Sequence, residues 1–182
     1  MAKPFPDHPN LQGGYAPIQM ECDAPNLIIE GEIPLQLEGT LYRIGPNPQF
    51  APRGQYHWFA GDGMVHSFKL SNGRVSYKNR WVRTANWNLE NEAGESLFCP
   101  LNPLQNDPRV AKVKTNGIAN TNVVWHGGKL FALVETNAPF EIDPDDLSSI
   151  GPWTFNGELK SAMTAHPKID PETGEMLFFA YN

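Results

Sequence analysis

Five histidines, two cysteines and twenty carboxylates are the side chains this 182-residue chain offers for metal or acid–base chemistry. His166 stands directly before Pro167. Proline fixes its own φ and pushes the preceding residue into extended backbone, so the imidazole is carried on a stiff support, as a ring that must hold one direction requires. A single histidine in a β segment is more often a hydrogen-bonded structural residue than a ligand, and its neighbours must decide. Glu135 ends the run Phe131-Ala132-Leu133-Val134, which is apolar on both faces of a strand; a carboxylate in such company needs a partner. Cys22 and Cys99 show neither CxxC nor metal-ligand spacing, so a reduced, cytoplasmic setting is the expectation and no disulfide is required. His8, His57, His66 and His126 read as structural or solvent-exposed, and nothing in the spacing of His57, His66 and His166 brings them together. Asp62 is accounted for by Gly61-Asp62-Gly63, read as a tight turn with positive φ.

The elements that position these groups are short strands and turns. Residues 1–26 read as an irregular arm and residues 27–182 as one β domain. Leu27–Pro34 and Thr40–Ile44 are expected strands, followed by a rigid Gly45-Pro46-Asn47-Pro48 turn. Met64–Leu70 and Arg74–Arg83 flank Asn72-Gly73, a strong hairpin signal. Residues 84–117 interrupt the pattern with a short helix near Asn88–Glu92 and proline-rich loop, an excursion of a length that usually caps a site. A second hairpin joins Asn120–His126 to Lys129–Glu135 through Gly127-Gly128, and Phe140–Leu147 reads as a strand into a turn. A third hairpin spans Ala162–Phe179, broken by Pro171, Thr173 and Gly174. Turns near 72, 127 and 172 recur at intervals somewhat longer than the roughly 40–50 residues of a propeller blade. Periodicity leaves both a propeller and a closed sandwich open.

Composition narrows the function classes. Seventeen prolines, sixteen glycines, ten phenylalanines and five tryptophans favour an all-β chain of short strands over long helices. A net charge of −6 without any lysine or arginine run argues against a nucleic-acid partner. Met1–Asn10 is polar and proline-rich, unlike a signal peptide, and no stretch has the length of a transmembrane helix or the pattern of a basic amphipathic one.

Several segments together resemble one family. Ala165-His166-Pro167-Lys168-Ile169-Asp170-Pro171-Glu172-Thr173-Gly174-Glu175 is similar to the first iron-ligand segment of the carotenoid cleavage oxygenases, the carotenoid, apocarotenoid and stilbene dioxygenases together with the retinoid isomerase. Gly39–Pro48 resembles the family's N-terminal signature, and His57–His66 its first-blade turn. Ala119-Asn120-Thr121-Asn122 and Leu133-Val134-Glu135 resemble its second-blade hairpin. The motifs fall in the family's order from about Leu27 onward.

The resemblance implies a partial seven-bladed β-propeller, the N-terminal part of a larger protein. It also implies a non-haem Fe(II) held by four histidines on the propeller axis, with O2 and an apolar polyene as reactants. By this match His166 is the first metal ligand, and the other three imidazoles would lie beyond Asn182, leaving the isolated stretch inactive. Glu135 matches a carboxylate that accepts a hydrogen bond from a ligating imidazole, here one of those beyond Asn182. Thr121 matches a side chain beside the open metal position, and Phe59 an aromatic that lines the substrate tunnel. Stilbene-cleaving members engage a phenol with a tyrosine and a lysine, where this chain has Leu101 and Val134; that departure favours a carotenoid or apocarotenoid over a hydroxystilbene. Peripheral contact with a membrane is implied by the family alone. A stilbene-cleaving enzyme, a retinoid-isomerase-like enzyme and a non-catalytic propeller binding module are the competing readings.

Overall fold

The computed structural model describes residues 3–113 and 117–180. Its first sheet has four antiparallel strands, β1 (Cys22–Ala24), β2 (Gly39–Pro46), β3 (Gly63–Ser71) and β4 (Arg74–Trp81), in the order β1-β4-β3-β2. The β3–β4 turn forms as read: Asn72 and Gly73 both take positive φ, 51° and 70°, matching the right-handed strand twist. The second sheet is a four-stranded meander, β5 (Asn122–His126), β6 (Lys129–Leu133), β7 (Phe140–Ile142) and β8 (Ser149–Pro152). A two-stranded ribbon, β9 (Lys168–Ile169) and β10 (Met176–Leu177), completes the strands among the described residues. Among the described residues one α-helix, α1 (Ala85–Ala93), lies between the two larger sheets in sequence. Thr84 caps it by accepting from the Trp87 N–H, and Gly94 ends it in the left-handed region.

Several expectations need correction. Cys22–Ala24, inside the stretch read as an irregular arm, is an edge strand on β4. It is docked by buried Asn79, whose Oδ1 accepts from the Cys22 N–H (2.6 Å) while its Nδ2 donates to Met20 O (3.2 Å). Leu27–Pro34 forms no strand and is largely exposed, because Ile28, Glu30, Gly31 and Glu32 have no face to bury. The Gly45-Pro46 step belongs to β2 rather than to a turn. The third hairpin is only two residues deep on each strand, with a turn closed by Asp170 Oδ1 accepting from the Glu172 and Thr173 N–H groups.

The Gly61-Asp62-Gly63 turn does not use positive φ; its glycines are required by crowding. A Cβ on Gly63 would lie 2.0 Å from Ala119 O, and one on Gly61 would lie 2.8 Å from Asn47 N. The backbone of 118–121 is thereby pressed onto the start of β3.

β6 explains how the layers join. Leu130 and Ala132 face the first sheet with Val65, Val82, Ile142 and Leu147, while Phe131 and Leu133 face the other way onto Met163 and Ala165. Period-two alternation with both faces covered is why this strand reads as a continuous apolar run. Each fully buried side chain of this kind stabilises the fold by about 1.5–3 kcal/mol. The Tyr42 hydroxyl donates to Pro144 O across the sheets at 2.8 Å. A third cluster, Met64, Trp81 and Trp87, fixes α1 against the first sheet. Ile169, Leu177 and Phe178 remain exposed along the short ribbon, apolar surface of the kind a neighbouring layer covers.

Candidate metal and substrate cleft

A cleft of about 900 Å³ opens where the Phe59–Gly63 turn, the start of β5, the end of β6 and the segment before β9 meet. Phe59, Thr121, Val134, Glu135 and His166 all line it, although they come from four separate stretches of sequence. Leu101 does not line it. That residue sits in an exposed turn, 53% accessible, and Cys99, Pro100 and Pro103 around it form the wall instead.

His166 is held by its backbone rather than by packing of its ring. Met163, Thr164 and Ala165 are almost fully buried, and the chain emerges at His166, whose side chain is 63% exposed. Asn122 Nδ2 donates to Ala165 O (2.8 Å), Thr164 N to Phe179 O (2.8 Å), and His166 N to Thr164 Oγ1 (3.2 Å). The ring therefore faces open space from an anchored base. Its Nε2 lies 3.7 Å from Glu135 Oε1.

Glu135 follows β6 in a turn, since the strand ends at Leu133. Among the described residues the imidazole nearest to it is that of His166, at a separation longer than a hydrogen bond. Its Oε1 is also 3.5 Å from Thr164 Oγ1, while Oε2 is buried without a donor. A buried carboxylate oxygen lacking a donor is costly, and an imidazole N–H is a chemically suitable group to satisfy it. The residues present thus fit one imidazole and one supporting carboxylate of a metal centre. Among the described residues no three His, Cys, Asp or Glu side chains are grouped to hold an ion.

The other histidines are engaged locally. His57 Nδ1 accepts from Phe59 N (3.2 Å), His8 Nδ1 from Asn10 N (3.1 Å), His66 Nδ1 pairs with the Tyr77 hydroxyl (2.7 Å), and His126 Nε2 lies 2.9 Å from Gly174 O. Cys22 and Cys99 are both free thiols. Phe59 lies in a single 3-10 turn, 63% exposed, with its ring 4.2 Å from that of Trp58. Val134 is nearly buried and presents an aliphatic surface.

Sequence reasoning passed over an acidic cluster in the same wall. Asp62 is buried, its Oδ2 accepting from Gln49 N at 3.1 Å. Burial, reinforced by the Glu90 charge, pushes its carboxyl up to about 7. Glu90, on the inner face of α1, accepts from the N–H groups of Leu97 (2.6 Å) and Phe98 (2.9 Å) and from Ser96 Oγ (3.1 Å); burial still raises it. Burial, then Asp62, raises the nearby Tyr56 phenol. The only sequence signal for this cluster is an acidic residue in the predicted helix, and nothing in the chain order places it in the same cleft wall as Asp62.

The retinal pigment epithelial membrane protein family model matches residues 15–182. The lignostilbene-alpha,beta-dioxygenase isozyme III of Sphingomonas paucimobilis is 42% identical over 180 residues, covering 97% of this chain and 36% of that protein. A probable chloroplastic carotenoid cleavage dioxygenase 4 of Arabidopsis thaliana is 38% identical, covering 94% of this chain and 32% of that one. The crystal structure of the Pseudomonas brassicacearum lignostilbene dioxygenase matches with a TM-score of 0.94 at 40% identity, covering 99% of this chain and 38% of that structure. The chain therefore spans little more than a third of the length of the relatives it matches. By sequence and by structure, it belongs to the retinal pigment epithelial membrane protein family, the carotenoid cleavage oxygenases.

Proposed function

We propose that this chain is the His166-bearing part of a non-haem Fe(II) dioxygenase that splits a conjugated C=C bond of a carotenoid or apocarotenoid, one oxygen atom of O2 ending in each carbonyl product. The observation that supports it best is the convergence of His166, Glu135 and Thr121 on one cleft from three segments. Ferrous iron, when bound, would supply the redox chemistry that activates O2. His166 would hold it, together with imidazoles from parts of the relatives' length that this chain does not span. Glu135, whose buried Oε2 lacks a donor, would accept a hydrogen bond from one of those imidazoles, fixing its tautomer and raising its basicity. Thr121 would restrict what enters beside the metal, and Phe59 and Val134 would carry the apolar substrate. The reading extends to a seven-bladed propeller for the whole protein, in the cytoplasm and touching a membrane surface to take up a lipid-soluble substrate. Among the described residues no helix is long and apolar enough to cross a membrane.

A hydroxystilbene is the second candidate substrate. Two observations favour it: the relative 42% identical to this chain is named for lignostilbene, and Tyr56 and Asp62 give the cleft polar groups that a phenol could meet. Because Leu101 lies outside the cleft, the preference for a polyene rests on Val134 alone. The test is the full-length protein with its iron content measured, offered an apocarotenoid and a 4-hydroxystilbene, beside His166→Ala. Iron binding, aldehyde products and loss of both in the variant are expected. Cleavage by protein that contains no iron would refute the proposal, and turnover of the stilbene alone would select the second substrate.

A further inference from the structure

Asn120, in the Ala119–Asn122 motif, ties together two segments of the cleft's framework. It is 4% exposed, and its one amide group makes three hydrogen bonds. Its Nδ2 donates to Phe59 O (2.8 Å) and Gly61 O (2.7 Å), and its Oδ1 accepts the hydroxyl proton of Thr121 (3.0 Å). The amide orientation follows from chemistry, because the flipped form would set an oxygen against two carbonyl oxygens. The backbone around it is held on both sides. Ala119 before it holds φ +44°, Gly63 N donates to Ile118 O (2.8 Å), and Thr121 N donates to Leu133 O (2.9 Å).

We infer that Asn120 is a positioning residue that decides what Thr121 presents to the cleft. A threonine hydroxyl has one proton to donate, and here Asn120 holds it. Thr121 can then offer its methyl group and an accepting lone pair, but no donor, to a molecule beside it. The same amide fixes the carbonyl of Phe59, so the residue lining the substrate path and the residue beside the metal are set by one side chain. The inference rests on the proposed function, which puts Thr121 next to iron.

The experiment uses full-length, iron-loaded protein and reads both the nitric oxide EPR signal of the ferrous centre and KM for O2. Asn120→Ala, Thr121→Val and the double variant form a cycle. Asn120→Ala is expected to shift the EPR signal and to change KM for O2 by about fivefold, the scale of one hydrogen bond. In the Thr121→Val background, where there is no hydroxyl to release, both changes should largely disappear. Equal changes in both backgrounds would overturn the inference and leave Asn120 a structural clasp. If Asn120→Ala fails to fold, Thr121→Val and Thr121→Ser, which keep the clasp, decide instead. The serine variant should perturb the signal more, and the reverse order would overturn the inference. Wild-type protein without iron would overturn the proposed function and this role together, whereas iron with equal shifts removes this role alone.

Discussion

Asp62→Asn should abolish a pH dependence of stability that the wild-type fold carries in the cleft wall. The carboxyl moves from 3.8 in the unfolded chain to about 7 when buried beside Glu90, a difference of about three units. At about 1.36 kcal/mol per unit, this is about 4 kcal/mol. The folded state binds the proton more tightly, so this contribution is fully present below pH 3.8 and is lost as the pH rises through about 7. Wild-type protein should accordingly become less stable between pH 4 and pH 8. The asparagine variant keeps an oxygen to accept from Gln49 N and carries no titrating proton. It should lack most of that decline and be the more stable protein at pH 8. Glu90 titrates in the same direction and Tyr56 faces the same group, so the difference between the two proteins is the quantity to compare. Urea unfolding of the full-length protein at closely spaced pH values measures it. Parallel curves for wild type and variant would refute the reasoning, showing that Asp62 is solvated or paired in solution.

Two further predictions concern the framework and the metal. Gly63→Ala would place a methyl group 2.0 Å from Ala119 O, where Gly63 N already donates to Ile118 O, so neither backbone can yield. A loss of about 3 kcal/mol is expected, and an unchanged unfolding midpoint would show that the 61–63 and 118–121 segments are not pressed together. Glu135→Gln should weaken iron binding about 10–100-fold in chelator competition, because an amide supports an imidazole N–H less strongly than a carboxylate. Unaltered affinity would remove Glu135 from the metal's support.

Local chemistry made the hairpins legible. Asn72-Gly73 and Gly127-Gly128 take positive φ whatever surrounds them, and an apolar run such as Leu130–Val134 must be buried on both faces. The stiffness of His166 before Pro167, and the need of Glu135 for a partner, could likewise be read from adjacent residues. What the chain order could not supply was distance. That Glu135 comes near His166, that Asp62 and Glu90 line one cleft, and that Leu101 stays outside a cleft its neighbours line are results of packing between segments far apart in sequence. The β1 strand was missed for the same reason: Cys22–Ala24 has no strand pattern of its own and is ordered by Asn79 on the strand beside it. Gly61 and Gly63 are necessary for a reason other than turn propensity. Turn propensity is a property of one residue's backbone, whereas their actual constraint is the absence of room, set by Asn47 and Ala119 arriving from elsewhere.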